Sequence, residues 1–406
     1  MNILLLTQVL PYPPDSGPKI KTYNVIKYLT QRHRVTLVSF VRGDQSEHAR
    51  HLGQYCQAVH IVPMERGAIR DAWHMGRSFL IREPFMMLRD DRKAMRDLIE
   101  RLSTEQHFDV VHADQLNMGQ YAARVPGAFK VLDTHNALWL LYRRLWKTMP
   151  PGPRKWLLGR DWRLLEAYEG QLVREFDAVL AVSHEDKAAL QEAAGQPVDI
   201  TVIPIAIDTD EVPLIKRPNP THILHIGTMY WPPNIDGVLW FVHQVWPLIR
   251  ERKPGVQFDV VGSRPPREIV ALGRDETGIN VTGYVSDPTP SFQRAALMVV
   301  PLRAGGGMRV KILNAWAQGI PIVSTTLGCE GIAATPGQDI LVGDTPEEFA
   351  VVVLRLLDDG DLANQIADRG RQTVVEKYDY RMACRPLDGI YARANNLIVR
   401  REFQRR

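Results

Sequence analysis

At 406 residues the chain is too long for one ordinary hydrophobic core, and this length favours a protein of two domains. Its 45% of hydrophobic and 24% of charged residues are typical of a soluble globular enzyme. The net charge of only +4, with acidic and basic residues interspersed, argues against a nucleic-acid-binding protein, which concentrates its cations.

The cysteines and the N-terminus bear on the compartment. Cys56, Cys329 and Cys384 are few and far apart, which argues against a disulfide framework and predicts a reducing, cytoplasmic location. The first residues, MNILLLTQVLPYPP, lack a basic n-region and a small-residue cleavage site, so they predict a buried first strand rather than a signal peptide. No apolar run approaches the roughly 18 residues of a spanning helix.

The first half of the chain alternates apolar runs with helix-compatible sequence. The runs predicted as strands are NILLLTQV, RVTLVSF, AVHIVP, FDVVHAD, KVLDTHN and AVLAVS. Continuous Val, Ile and Leu runs are typical of a parallel sheet that is covered on both faces. Residues 1–205 are therefore predicted to form a doubly wound, Rossmann-like α/β domain.

The same pattern restarts after ITVIPIAIDTDEV and the proline-rich joint VPLIKRPNPTH. The second set of predicted strands is THILHIGTM, QFDVVGS, INVTGYV, LMVVPLR and IPIVSTT. They predict a second Rossmann-like domain over 206–378, and the helical pattern of 379–406 is expected to return to the first domain. Tandem domains of this α/β class place their strand carboxyl ends on either side of a cleft, where a two-substrate reaction is expected.

Residues 304–325, AGGGMRVKILNAWAQGIPIVST, predict a phosphate site. Glycines allow a ligand to approach the backbone, and a helix N-terminus offers free N–H groups. Arg309 and Lys311 add positive charge there, and Lys311 shares a helix face with Asn314. The alternative is a plain strand-to-helix turn with solvated cations.

This segment resembles the donor helix of family 4 glycosyltransferases, the retaining enzymes with the GT-B fold. The resemblance extends to PYPPDSGPKIKTYNV, DVVHAD, DTHN, HIGTMYWPPN, VTGYVSDP and GCEGIAATPGQDILVGDTPEEFA. It implies a hexosyltransferase whose co-substrate is a nucleotide diphosphate sugar, with UDP favoured. The implied acceptor is a hydroxyl group of a glycan, a lipid or a small molecule.

The chain departs from the family pattern at four positions. The two family glutamates, which contact the sugar and the ribose, fall on Gly306 and Asn314. The family arginine and lysine that hold the diphosphate fall on Thr228 and Asn234. We infer that Arg309 and Lys311 replace the lost cations, within a donor loop that also includes Gly305, Gly307 and Met308.

The resemblance also assigns donor contacts outside the glycine turn. Gly17 is expected to let the first domain's backbone approach the phosphates. Lys19 and Lys21 beside it either help to hold the acceptor or phosphate or, as the favoured interpretation, are solvated. Gly283, Tyr284 and Val285 are expected to meet the nucleotide base. Glu330 is expected either to approach the donor sugar or to be an exposed loop residue.

His135, at the end of a first-domain strand, is the main catalytic candidate in that domain. Histidine suits a polar contact or proton transfer near neutral pH, although a lone histidine at a strand end also fits a purely structural role. Asp133 and Asn136 flank it, and Asp114 is an expected acceptor contact.

No metal-ligand spacing and no nucleophile motif occurs, so a metal-independent reaction is predicted, in which Arg309, Lys311 and the helix dipole neutralise the leaving diphosphate.

Between residues 138 and 168 aromatic residues alternate with Arg and Lys. Such a stretch fits peripheral contact with a membrane, an acceptor pocket, or buried helices with snorkelling arginines.

Two other functions stay open on the sequence. One is a nucleotide-sugar epimerase or sugar-phosphate synthase on the same scaffold. The other is a non-catalytic nucleotide-binding protein that has lost both glutamates.

Overall fold

The computed structural model describes residues 1–218, 220–273, 277–305 and 307–405. The chain divides into two compact units. The first unit comprises Met1–Ala206 and the chain from Tyr380 onward, and the second comprises Ile207–Asp379.

The first unit is built on a seven-stranded, fully parallel sheet with the order β3-β2-β1-β4-β5-β6-β7. Its strands are β1 (Asn2–Thr7), β2 (Arg34–Val41), β3 (Ala58–Pro63), β4 (Val110–Asp114), β5 (Phe129–Asp133), β6 (Ala178–Ala181) and β7 (Ile200–Val202). The predicted first strand is confirmed, and β7 is one that the apolar runs did not reveal.

Helices cover both faces of this sheet. They are α1 (Gly17–Leu29), α2 (Ser46–Leu52), α3 (Ala68–Ile81), α4 (Phe85–Asp90), α5 (Lys93–Glu105), α6 (Leu116–Ala122), α7 (Leu138–Thr148), α8 (Pro153–Glu175) and α9 (His184–Ala194). Successive residues of a strand point to opposite faces. In β1, Leu4 and Leu6 accordingly belong to one buried cluster, whereas Ile3 and Leu5 belong to another.

The second unit has a six-stranded parallel sheet with the order β10-β9-β8-β11-β12-β13. Its strands are β8 (His222–Ile226), β9 (Gln257–Val261), β10 (Ile279–Gly283), β11 (Ala295–Val300), β12 (Ile322–Ser324) and β13 (Leu341–Val342). Its helices are α10 (Pro232–Trp240), α11 (Trp246–Arg252), α12 (Arg267–Val270), α13 (Thr289–Arg294), α14 (Val310–Ala317), α15 (Pro346–Asp358) and α16 (Gly360–Thr373). Thr345 and Glu348 form a reciprocal capping box that begins α15.

The end of the chain packs on the first unit. After α17 (Tyr380–Ala383), α18 (Pro386–Arg405) contributes Leu387, Ile390 and Ala394 to the cluster that contains Ile3 and Leu5. Across the described ranges, no helix combines the length and the apolar character that crossing a bilayer requires.

Candidate active site

Three glycines lie side by side where β8, β9 and β10 end. Gly227 donates to the Val261 carbonyl at 3.0 Å, and Gly262 donates to the Gly283 carbonyl at 2.8 Å. A Cβ atom on Gly262 would lie 1.6 Å from the Gly227 carbonyl oxygen, so a side chain there is excluded. Gly283 has a φ of +61°, in the left-handed region that favours glycine. The carboxyl edge of this sheet therefore presents bare backbone.

The ammonium group of Lys311 lies against this backbone. Lys311 Nζ donates to Asn234 Oδ1 at 3.0 Å, and Asn234 Nδ2 donates to the Thr228 carbonyl at 2.9 Å. A Cβ on Gly227 would lie only 2.7 Å from Lys311 Nζ. The structure thus brings together Lys311, Asn234 and Thr228, three residues that the sequence analysis assigned to the donor site from separate motifs.

The charge on Lys311 is poorly compensated. Burial, and secondarily the positive charge of Arg309, lower the pKa of the Lys311 ammonium to about 7. Burial also lowers the pKa of His225 well below its usual value, with the Lys311 charge as the second cause. The hydrogen-bond partner of the ammonium, Asn234, is a neutral amide. An anion at this position would relieve the unfavourable charge.

Arg309 stands at the N-cap position of α14 and is 8% exposed. Its guanidinium donates to the Gly307 carbonyl at 2.8 Å and to the Leu327 carbonyl at 3.4 Å. These two bonds connect the glycine turn to the loop after β12. Arg309 therefore has a structural role besides the expected contact with a diphosphate. Gly305 and Gly307 have φ angles of +119° and +78°, which only glycine adopts readily.

The remaining donor candidates differ in how deeply they are buried. Gly306 lies outside the described residues. Met308 is buried, and it lies 3.6 Å from where a Cβ of Gly331 would be, so the loop that contains Glu330 packs on the start of α14. Asn314 is half-buried one turn beyond Lys311. Tyr284 is 76% exposed, and Val285 next to it is half-buried.

Gly262 is a functional candidate that the sequence analysis missed. It lies in the run QFDVVGS, which was interpreted only as a strand. The available signal was a glycine directly after a buried strand, the position where parallel sheets bind ligands.

In the first unit, acidic side chains meet at the ends of β4 and β5, where Asp114 pairs with Asp133 in the register. His135 Nε2 lies 2.9 Å from Asp114 Oδ1, which also accepts from Thr22 Oγ1 at 2.9 Å. Within the described part of the chain, the buried atoms Asp114 Oδ2 and His135 Nδ1 have no hydrogen-bond partner. Such orphaned buried groups are costly, and a water, an ion or a ligand hydroxyl would satisfy them.

The expectation that Lys21 is solvated is wrong. Its side chain is 1% exposed and forms a buried ion pair with Asp133 Oδ1. Asp133 Oδ2 lies 3.4 Å from His112 Nε2, and His112 Nδ1 lies 2.8 Å from the Tyr391 hydroxyl of α18. Although burial by itself would raise it, the charge of Lys21 and the bond to His112 hold the pKa of Asp133 well below its usual value.

Asp114, Asp133 and His135 each offer one ligand atom, and these atoms lie within 4.8 Å of one another. A metal ion would have to compete for Asp133, whose two oxygens already contact Lys21 and His112. The Lys21 ammonium already supplies positive charge at Asp133. A reaction without metal therefore stays the prediction from sequence.

Gly17 and Asn136 are the two remaining candidates of the first unit. Gly17 is the first residue of α1, and Asn136 is half-buried directly after His135. A cavity of about 180 Å³ opens nearby in the fold, at the ends of β1 and β2. Its polar lining includes Gln8, Lys19 and Arg42.

Two family models match the chain. The model described as Glycosyltransferase Family 4 matches residues 17–211. The model described as Glycosyl transferases group 1 matches residues 220–359. The first match includes Lys21, His112, Asp114, Asp133 and His135 of the first unit, and the second includes Gly227, Asn234, Gly262, Gly283, Arg309 and Lys311 of the second unit. Tyr391 lies outside both.

Two curated proteins resemble the chain. An uncharacterised 44.6 kDa protein of the cps region of Klebsiella pneumoniae is 19% identical over 389 residues, which are 93% of this chain and 96% of that protein. The lipopolysaccharide core biosynthesis glycosyltransferase LpsE of Rhizobium meliloti is 30% identical over 135 residues, or 31% of this chain and 39% of LpsE.

Among solved structures, the Anabaena protein HepE in complex with UDP superimposes with a TM-score of 0.69. The match covers 97% of this chain and 100% of HepE at 14% sequence identity. At that identity the likeness establishes the fold.

Proposed function

Because the chain belongs to the family 4 type of glycosyltransferases, with two Rossmann-like domains of the GT-B fold, we propose that it transfers a hexose from a UDP-sugar to an acceptor hydroxyl with retention of configuration. The observation that carries the proposal is the Lys311 ammonium, held by Asn234 against the glycine backbone at the ends of β8 and β9. The UDP complex of HepE supports uracil as the base.

The donor diphosphate is assigned to Lys311. A phosphate oxygen near Nζ would gain a charge-assisted hydrogen bond beside the edge formed by Gly227 and Gly262, which carries no side chains. Arg309 acts on the same anion through its charge and by holding the glycine turn at the start of α14. The positive electrostatic potential at this place is increased by the dipole of α14 and by the backbone N–H groups of Gly305, Gly307 and Met308.

The remaining donor groups follow the family pattern. The backbone of Gly283, Tyr284 and Val285 is assigned to the base, and the amide of Asn314 to the ribose hydroxyls. Glu330 is assigned to the sugar, for which its loop beside Met308 is suitably placed. Thr228, whose carbonyl orients Asn234, acts through that residue.

The acceptor is assigned to the first unit. Asp114 and His135 each have a buried polar atom that an acceptor or sugar hydroxyl could satisfy, and Asn136 and Gly17 complete this set. In a retaining transfer of the kind the family implies, the departing phosphate takes the acceptor proton, so the protein supplies positioning and charge rather than a nucleophile. No metal is required in this scheme, since Lys311 and Arg309 stabilise the leaving group.

The acceptor class is proposed from the relatives. One is encoded in a cps region and another acts in lipopolysaccharide core biosynthesis. A polysaccharide or glycolipid acceptor at the inner face of a membrane fits both.

The nucleotide assignment can be tested by calorimetry with UDP, GDP and dTDP, followed by a hydrolysis screen of the sugar nucleotides that share the base that binds. UDP is expected to bind at micromolar to submillimolar concentration. If none of the three bound at millimolar concentration, the enzyme would have no donor and the proposal would fail.

The pH dependence of donor affinity is a specific consequence of the Lys311 environment. The free ammonium has a pKa of about 7, and a bound diphosphate favours the protonated form, so binding takes up a proton above pH 7. The affinity for UDP-glucose should be constant below pH 7 and fall by up to about tenfold per pH unit above it. UDP-glucose suits the titration because its phosphates are diesters, which lack the second pKa near 6 of a phosphate monoester.

The matched control is Lys311→Arg, because a guanidinium stays charged throughout this range. Calorimetry between pH 6 and 9 should give a flat profile for this variant. An equally flat profile for the wild type would contradict a neutralisable lysine at the phosphate.

His135→Ala should lower the transfer rate by about 100-fold or more, since a positioned polar or proton-transferring group contributes about that much. UDP affinity should change less than about twofold, because the donor nucleotide rests on the second unit. The exposed His184, on α9 of the same unit, provides the control His184→Ala. If His135→Ala kept its rate, or lost UDP binding in parallel, the assignment to the sugar and acceptor would be wrong.

A further inference from the structure

Helix α3 turns its apolar side toward the solvent. Ile69, Trp73 and Leu80 are spaced four and seven residues apart, so they form one stripe along the helix. Their exposed fractions are 90%, 61% and 85%. The buried residues of this helix, His74 and Ser78, lie on the opposite side. A surface helix normally shows the reverse arrangement, and an exposed apolar stripe of this size indicates an interaction surface.

Cations accompany the stripe. The segment 66–82 contains four arginines and one aspartate. Arg70 and Arg77 are exposed at positions beside the stripe, and the Arg77 guanidinium lies 5.7 Å from the Trp73 ring centre. Arg82, which ends the helix, is exposed as well.

Helix α8 fixes α3 in this orientation. Phe79 stacks on Trp156 with ring centres 5.9 Å apart and an interplanar angle of 11°. Arg160 lies 4.1 Å from the Phe79 ring centre and donates to Ser78 Oγ at 3.0 Å. Trp156 is 63% exposed, so it extends the apolar surface beside α3.

We propose that α3, together with Trp156, is a docking surface for an anionic phospholipid bilayer, with the helix lying in the plane of the headgroups. Apolar side chains would enter the acyl boundary, tryptophan rings suit the interface, and arginines would meet lipid phosphates. A symmetric dimer through this face would bring the same arginines of two copies together, which like-charge repulsion disfavours. The surface differs from the segment that the sequence analysis identified, since α3 supplies the insertion and α8 supports it.

The docking helix is connected to the strand ends of the first unit. Helix α4 follows α3 and ends at Asp90, whose carboxylate accepts from Gln8 directly after β1 at 3.0 Å. Arg66, just before α3, contacts the same carboxylate at 3.7 Å. A bilayer bound to α3 would lie near the edge assigned to the acceptor. Only this last step rests on the proposed function, because lipid binding itself does not depend on it.

The test is flotation of the purified full-length protein with vesicles of phosphatidylcholine alone or with about 30% phosphatidylglycerol. Wild-type protein should float with the anionic vesicles, and binding should weaken with salt. Ile69→Ser combined with Leu80→Ser should lower partitioning by tenfold or more. Arg70→Ser and Arg77→Ser should each lower it by about fivefold, the effect of one cation near an anionic surface.

Helix α15 offers matched controls, because Val351 is 59% exposed and Arg355 is exposed. Val351→Ser and Arg355→Ser should leave partitioning unchanged. Absence of binding to anionic vesicles, or equal losses in the α15 variants, would overturn the proposal. So would a wild-type dimer in light scattering that Ile69→Ser with Leu80→Ser dissociates, since a second copy would then occupy the surface.

UDP affinity, measured on the same variants, separates this inference from the proposed function. The α3 variants should bind UDP as the wild type does. A protein that binds vesicles but not UDP would contradict the donor site and leave the docking surface intact.

Discussion

Lys311→Met should weaken UDP binding by about 10- to 100-fold, while uridine binding changes less than about twofold. A hydrogen bond to a charged group contributes about 1.5–3 kcal/mol, and each 1.4 kcal/mol corresponds to a factor of ten in affinity. Methionine keeps most of the side-chain volume and removes only the ammonium, so the glycine edge beside Gly227 stays in place. Calorimetry with UDP and with uridine gives the two values directly.

The control is Lys377→Met, because Lys377 is an exposed lysine of the same unit. It should bind both ligands as the wild type does. If Lys311→Met weakened the binding of uridine and of UDP equally, the ammonium would stabilise the structure of the site rather than bind the diphosphate.

The second large effect concerns stability. Lys21→Met should lower the free energy of unfolding by about 3–5 kcal/mol, because it leaves the Asp133 carboxylate buried and without its cation. In a unit of this size that loss corresponds to a fall in melting temperature of roughly 10 °C. Urea unfolding followed by circular dichroism measures it.

Two further variants make this prediction specific. Lys21→Met combined with Asp133→Asn should recover most of the loss, because no unpaired charge remains. Lys19→Met should cost about 0.5 kcal/mol or less, since Lys19 forms an i,i+4 pair with the exposed Asp15. A double variant as unstable as Lys21→Met would show that the buried charge is not the cause.

The strands show what local pattern can and cannot predict. Eleven of the strands follow from apolar runs long enough to carry a signal. The two that the runs did not reveal, β7 and β13, have three and two residues. Strands this short form because the preceding strand of the sheet, β6 or β12, offers a ladder to pair with, and their own few residues carry no periodic signal.

The donor constellation was predictable only in parts. The sequence placed Lys311 and Asn314 on one helix face, and the family resemblance supplied Asn234 and Thr228. The bond between Lys311 and Asn234 joins residues 77 positions apart, and it depends on how α14 and α10 meet beside Gly227. Local pattern contains no information on that distance.

Lys21 shows the same limit as an error. A lysine near a glycine-containing loop is usually solvated, and its partner Asp133 is 112 positions away. Only the parallel sheet brings the end of β5 beside α1. The docking surface on α3, in contrast, could have been predicted from local pattern, because the spacing of Ile69, Trp73 and Leu80 and the neighbouring arginines are visible in the sequence.

The central claim is that the Lys311 ammonium binds the donor diphosphate above the glycine edge of the second unit. A crystal structure with bound UDP tests it most directly. The account predicts a diphosphate oxygen within about 2.7–3.2 Å of Lys311 Nζ, next to the backbone of Gly227. A well-ordered UDP whose phosphates lie elsewhere, with Lys311 still bonded to Asn234 alone, would contradict it.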